Sequence, residues 1–381
     1  MILLVFLLGA RWEAPRVPAG APPPAGLSGM RAADCGACHQ TIYAEWQATT
    51  HAHAWTDRQF QQELSKAPEV AWVCINCHTP AGDQQVQETV ATGEIRSPQR
   101  SDNPHFDQSW QAEGVTCMSC HYGQGAQGQT LILGPYGDQE AAPHPVRQEP
   151  HLQDSGLCMG CHQAVARVED TLVCTFNTGA EWEASGAQQS CQECHMPAIE
   201  RPLIPQGEPR QARRHLWIGS KIPKEPLQPE WEPYYDLFEP GVDVALELPE
   251  QAEEGSLVVG SIQLHNARAG HSLPSGDPER YLWVEATVVD AQGQVVQRTT
   301  HRVGQRWVWW PRAERLDDNR LQAGEQREIP LRFVLPPGGA EITLSVDHYR
   351  ISPENAAYHG LEDYPTHHRV AHLTHTLSAG D

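Results

Sequence analysis

The chain has 381 residues, of which 39% are apolar, with 11 Cys, 20 His, 31 Gly and 31 Pro. Its formal charge is -21, from 27 basic and 48 acidic residues, and Lys occurs only as Lys66, Lys221 and Lys224. That balance excludes binding along a nucleic-acid backbone, which needs clustered Lys and Arg, while the length implies two or three domains of ~100–200 residues.

Residues 1–10 form a signal-like apolar segment, Ile2 to Leu8 followed by Gly9-Ala10, of the kind seen in export signals. The run lacks a basic flank, which points to a start further upstream. Its seven apolar residues fall short of the ~20 needed to span a bilayer, and no Cys follows directly to take a lipid. Residues 11–30, rich in Pro, Ala and Gly, read as an extended, semi-rigid linker.

From residue 31 to 220 one pattern recurs five times: Cys35–Cys38–His39, Cys74–Cys77–His78, Cys117–Cys120–His121, Cys158–Cys161–His162 and Cys191–Cys194–His195. Cys-x-x-Cys-His is the attachment signature of haem c. Two thiols one turn apart add to the two vinyl groups, and the adjacent His reaches one face of the iron. Five repeats, each with its His, disfavour disulfides, zinc or a dithiol redox pair. Five covalent haems c are therefore expected. Successive motifs begin only 33 to 43 residues apart, too little chain for a conventional core, so stacked porphyrins wrapped by loops and short helices should serve as one. Short helices are expected around Gln40–Ala54 and just before each motif. Cys174, outside the pattern, reads as a buried free thiol.

Residues 221–240 form a second, Pro-rich linker, in which missing donors disfavour regular structure. Residues 241–381 carry no Cys. Short runs with partial alternation at Val242–Leu248, Ser256–His265, Tyr281–Val289, Val295–Val303, Arg327–Val334 and Ile342–Tyr349, separated by turn signals, predict an all-β, Ig-like sandwich. His367, His368, His372 and His375 would bring three imidazoles to one face of a helix, or belong to a last strand. Trp307, Trp309 and Trp310 mark either a partner surface or sandwich packing.

Five motif histidines leave five sixth positions on the irons. Only Met30 and Met196 are plausible Met ligands, whereas fifteen other His are available, so His on both faces is expected for most haems, which lowers their potentials.

The stretch from Asp34 to Lys221 resembles multihaem c-type cytochromes of the cytochrome c554 type. The likeness lies in Trp46, Thr49 and His51 after the first motif; in Glu113-Gly114-Val115 before the third, whose ending Cys120-His121-Tyr122 departs from the usual Gly; in His144-Pro145; in Glu181-Trp182 before Cys191; and in Arg213-Arg214-His215. The resemblance implies distal ligands at His51, with His53 a competitor, at His144 ahead of His151, and at His215, with His105 and His271 as weaker candidates. Gly270-His271-Ser-Leu-Pro274 is similar to a segment of sandwich domains fused to such cytochromes, where the His either caps a haem or sits in a surface turn.

These features lead first to an exported electron carrier, periplasmic or extracellular, moving single electrons through mostly bis-His haems. Its acidity favours redox partners with basic patches. The alternatives are a subunit of a self-associating extracellular filament, or a reductase or oxidase with one open iron. No Cys-x-x-Cys-Lys occurs, which disfavours the usual pentahaem nitrite reductase.

Overall fold

The structure, a computed structural model, describes residues 16–66, 68–91, 98–136, 142–168, 171–309 and 312–380. Residues 1–10, the signal-like segment, lie outside them. Backbone packing divides the chain into two units. The first runs up to Val168 and includes Gln188–Ile218 and Leu227–Tyr234; the second comprises Glu169–Ala187, Gly219–Pro226 and Tyr235 onward.

The first unit contains all five motifs. Its helices are α1 (Ala32–Gly36), α2 (Gln40–Gln47), α3 (Arg58–Lys66), α4 (Ala71–His78), α5 (Gln108–Ala112), α6 (Met118–His121) and α7 (Ser155–His162). After α8 (Thr178–Ser185), which belongs to the second unit, α9 (Cys191–His195) returns to the first. The expected helix around Gln40–Ala54 is α2, and α5 precedes the third motif; in addition, α4, α6, α7 and α9 each end on a motif His. A helical turn is what brings two thiols spaced by two residues to one side.

The short helices are fixed by specific caps. Ser190 and Glu193 form a reciprocal capping box on α9, and the Asp107 carboxylate accepts from the backbones of Ser109 and Trp110 at α5. Each satisfies amides that a helix start leaves without partners.

Apolar packing here is dispersed. One cluster joins Val17, Met30, Ala81, Trp110, Met118 and Tyr122; a second Ala32, Trp46 and Ala52; a third Leu131, Leu133 and Leu152. Residues 16–30, read from composition as a linker, lie along this unit. Val17 and Met30 are buried, the Val17 carbonyl accepts from Gly82 N (2.8 Å), and Gly20 N donates to Asp83 Oδ1 (2.7 Å). Met30 thus packs as an apolar side chain within that first cluster.

The second unit is built on two antiparallel sheets. Its strands are β1 (Val242–Glu247), β2 (Leu257–Asn266), β3 (Tyr281–Asp290), β4 (Val295–Val308), β5 (Glu314–Asp318), β6 (Gln326–Val334), β7 (Ala340–Tyr349) and β8 (His367–Leu377). They run β1-β2-β6 in one sheet and β5-β4-β3-β7-β8 in the other. Alternation puts Ile262, Leu264, Leu331 and Phe333 of the first sheet into one buried cluster with Val284, Ala286, Leu344 and Val346 of the second, as period-2 patterning requires. Six of the eight strands fall on the runs read from sequence. The seventh, β8, settles the His-rich stretch as a strand; a bulge between Arg369 and Ala371 swaps the alternation, so His368 and His375, opposite His348 and Ile342, share one face while His367 and His372, opposite Tyr349 and Ser345, share the other. The eighth, β5, is exposed along its whole length, so it carries no alternation to read.

Residues 171–187, read from sequence with the haem-bearing stretch, pack within the second unit. Glu181 of α8 accepts from Arg320 (2.5 Å) and from Ser275 Oγ (2.7 Å); Ser185 Oγ donates to the Gly270 carbonyl (2.8 Å); Thr178 and Ser275 hydroxyls bond at 2.7 Å. Polar side chains spaced along a short helix, rather than an apolar stripe, make this docking. The Pro-rich 221–240 stretch is likewise anchored: Ile222 and Tyr235 are buried, and the Arg350 guanidinium donates to the carbonyls of Ile222 and Pro223.

Candidate functional site

Each motif places an imidazole at or just after the end of a helical turn, and three of these rings share a common secondary bond. His39 Nδ1 pairs with the Leu203 carbonyl (3.0 Å), His78 Nδ1 with the Ala54 carbonyl (2.8 Å) and His121 Nδ1 with the Leu133 carbonyl (2.7 Å). A ring that donates through Nδ1 leaves Nε2 with its lone pair, the form in which histidine binds metal. His78 is further held by Phe60, whose ring lies parallel to it at 3.7 Å.

Three motif rings also face a second imidazole from elsewhere in the first unit. The centroids of His39 and His144 are 6.4 Å apart, those of His51 and His162 6.3 Å, and those of His121 and His215 6.2 Å. An iron bound by two imidazole nitrogens at about 2.0 Å, with about 1.1 Å from nitrogen to ring centre, requires about 6.2 Å between centroids. The residues therefore fit an iron between each pair. Burial pushes His51 and His215 down to about 3, and lowers His121 and His144, so all four stay neutral, as ligation needs.

The loops carrying these partners are closely specified. Gly114, at φ +64°, lies against the His51 carbonyl, where a Cβ would stand 2.6 Å from the oxygen. That carbonyl accepts from Ala54 and Val115 amides, the Val115 carbonyl accepts from Trp46 Nε1 (2.8 Å), and Glu113 accepts from the Ala32 (2.7 Å) and Ala33 (3.2 Å) amides at the start of α1. The Glu113-Gly114-Val115 segment thus links the first motif, the third motif and His51. Trp217 has a left-handed backbone, φ 42°, a conformation costing about 1–3 kcal/mol outside glycine. It contacts the rings of both His51 (5.0 Å) and His215 (5.2 Å).

The remaining sequence candidates are placed differently. His53 turns Nε2 to the Gln47 carbonyl (3.0 Å) and packs against Trp231. His105 is exposed over Gly20, and His151 is exposed with Nδ1 on Glu149 (2.8 Å). His271 belongs to the second unit, its Nδ1 on the Ser272 carbonyl (2.9 Å). His195 lies half-buried at the end of α9, and Cys174 is half-buried. Trp307 stacks on Trp309 at 5.2 Å, with Trp309 44% exposed; Trp310 lies outside the described residues. Among those residues no group of three His, Cys, Asp or Glu is placed to hold a further metal ion.

Thiols of different motifs adjoin: Cys35 meets Cys117, Cys77 meets Cys161, and Cys158 meets Cys191. No disulfide joins any of the eleven Cys.

The model of the Cytochrome c554 and c-prime family matches residues 34–123. A penta-heme cytochrome c552 from Thermochromatium tepidum superposes with a TM-score of 0.66 over 93% of this chain and 100% of its own, at 19% identity. The fold is that of a multihaem cytochrome. No curated protein matches this sequence. Structures that overlay a smaller part of the chain include a CARDB domain from Pyrococcus furiosus in complex with di-metal ions and the putative ApaA protein from Bordetella pertussis. Each is 13% identical over 36% of this chain, covering 87% and 91% of their own lengths, with TM-scores of 0.21 and 0.19, too low to carry an argument. No helix among the described residues is long and apolar enough to cross a membrane.

The residue that sequence reading missed is Glu45, a fully buried carboxylate on α2 beside His215. A single Glu between Ala44 and Trp46 gives no pattern; its partners lie 156 to 170 residues away.

Proposed function

We propose that the chain is an exported electron carrier with five haems c, bound through Cys35/Cys38, Cys74/Cys77, Cys117/Cys120, Cys158/Cys161 and Cys191/Cys194. In this reading His39–His144, His51–His162 and His121–His215 each hold one iron, and His78 and His195 supply one ligand each to the other two. The observation that carries it is the set of three imidazole pairs at 6.2–6.4 Å, each joining one motif His to one outside the motifs.

Haem iron supplies one-electron Fe(III)/Fe(II) exchange. The chain's own residues fix the spacing and the ligand field. Two neutral imidazoles favour low potentials, and the Nδ1–carbonyl bonds of His39 and His121 hold each ring's orientation. Adjoining thiols place motif one beside three, and motif four beside both two and five, which supports short steps between haems within each of these two groups. The net charge of -21 favours basic patches on donors and acceptors, with rates that fall as salt rises. Export is consistent with the apolar segment at Ile2–Leu8.

Mass spectrometry of the purified holoprotein, with EPR of its oxidised state, tests this reading. The expected result is a mass increment of five haems and low-spin signals for at least three irons. Fewer haems, or a mainly high-spin spectrum, refutes it.

A further inference from the structure

His215 is held from two sides by a single buried cluster. Its backbone N–H donates to Glu45 Oε2 (2.9 Å), and its Nδ1 pairs with the Arg213 carbonyl (3.0 Å). Arg201 links the two: Nη1 and Nη2 donate to Glu45 Oε1 (2.7 Å) and Oε2 (2.9 Å), and Nη2 also donates to the Arg213 carbonyl (3.0 Å). Arg214 Nη1 adds a bond to Glu45 Oε1 (2.8 Å). Glu45 thus accepts four hydrogen bonds with its side chain 0% exposed, and Arg201 is 7% exposed.

A buried carboxylate is costly unless its lone pairs are taken up. Here all four bonds come from residues 201, 214 and 215, on the strand Ala198–Arg201 and at the end of its partner Arg210–Arg213. The carboxylate therefore fastens the very segment that presents His215 to His121. Glu45 lies on α2, whose N-cap residue is His39, so the first motif's imidazole stands at the start of the helix that carries the anchor of the third motif's partner.

We propose that Glu45 is a positioning residue: its buried carboxylate, through Arg201 and the amide of His215, sets the reach and the ring plane of His215 and so the ligand field of the iron shared with His121. This rests on the pairing of His121 with His215. Bidentate Arg–carboxylate geometry fixes direction as well as distance, which a lone backbone bond would not. A neutral amide in place of the carboxylate offers one acceptor oxygen where four donors converge, and leaves two guanidinium charges without their counter-charge.

The test compares E45Q, R214Q and H215A holoproteins by EPR, by redox titration of all five haems, and by thermal unfolding. H215A is expected to turn one iron in five high-spin; failure to do so removes the pairing itself rather than the role of Glu45. With that pairing intact, E45Q is expected to convert a fraction of the same iron to high-spin, reversed by added imidazole, and to raise that one potential. An E45Q/H215A double variant is expected to show no further converted haem. R214Q, whose side chain is 26% exposed, is expected to alter the signal of the same haem while keeping it low-spin. If E45Q folds with five unchanged spin states and a titration superimposable on the wild type, the proposal is overturned, even if its melting temperature falls. Should E45Q not yield holoprotein, an unchanged titration in R214Q overturns it equally.

Discussion

Replacing Gly114 by Ala puts the link between the third motif and His51 to a direct test. At φ +64° any L residue pays for the left-handed backbone, about 1–3 kcal/mol. The new Cβ would also stand 2.6 Å from the His51 oxygen and 2.9 Å from the Ala54 nitrogen. Both are backbone atoms that cannot rotate aside, and the oxygen already accepts two amides. Overpacking of this kind costs about 1–3 kcal/mol, so the total is about 2–6 kcal/mol, a large part of a domain's ~5–15 kcal/mol. Relief requires the His51 turn to move, and that turn sets the 6.3 Å spacing to His162. Gly128 is the control: its φ is +81°, but a Cβ there meets nothing within 4 Å. Calorimetry should show G114A melting well below G128A, and EPR of the oxidised protein should show one haem partly high-spin only in G114A. Equal melting points with five unchanged signals would refute the argument.

Two further predictions concern the second unit. Replacing Glu181 by Gln leaves Arg320, 9% exposed, with only Asp318 as counter-charge; a loss of about 1–3 kcal/mol and faster proteolytic cleavage within residues 171–187 are expected, and an unchanged cleavage rate would contradict the docking of α8. The second is a pH dependence. Burial, with Arg280, Arg350 and His368 nearby, pushes His348 down to about 3, below its usual ~6.5 when unfolded. The unfolded chain then binds a proton that the folded one refuses, so stability is full above pH ~6.5 and declines as pH falls toward 3, by on the order of a few kcal/mol. Denaturation midpoints measured across that window should fall more steeply for wild type than for H348Q; the slope that remains includes His301 and His368 and, in the first unit, His51, His121, His144 and His215, all lowered by burial. Parallel curves would count against it.

How much of this was legible in the sequence varied with the kind of signal. The five motifs are local in sequence and needed no fold to be seen. Six of the eight sandwich strands were legible because alternation is a one-dimensional record of a buried face; β5 was not, since an edge strand exposed on both sides writes no such record. Pairing of the distal imidazoles was beyond sequence reasoning. His144 meets His39, His215 meets His121 and His51 meets His162 across separations that only the folded chain closes. Composition also misled about residues 16–30: Pro and Gly describe a chain without regular structure, which is compatible with one packed against its neighbours through Val17 and Met30. Glu45 was silent for a related reason, being one acidic residue among 48 acidic ones.

The excursion of α8 into the second unit has a consequence for the order in which the protein forms. Glu181 waits for Arg320, 139 residues later, and Ser185 for Gly270, 85 residues later. Chain closure over such spans is slow relative to local helix formation. As the chain emerges, the first four motifs are complete before residues 171–187 have anything to dock on, and the fifth motif follows on a segment still untethered on one side. The segment carrying Cys191 and Cys194 is thus complete before the last closure of the β sheets. A chain cut after residue 220 would keep all five Cys-x-x-Cys-His motifs yet leave Glu181 and Thr178 without Arg320 and Ser275.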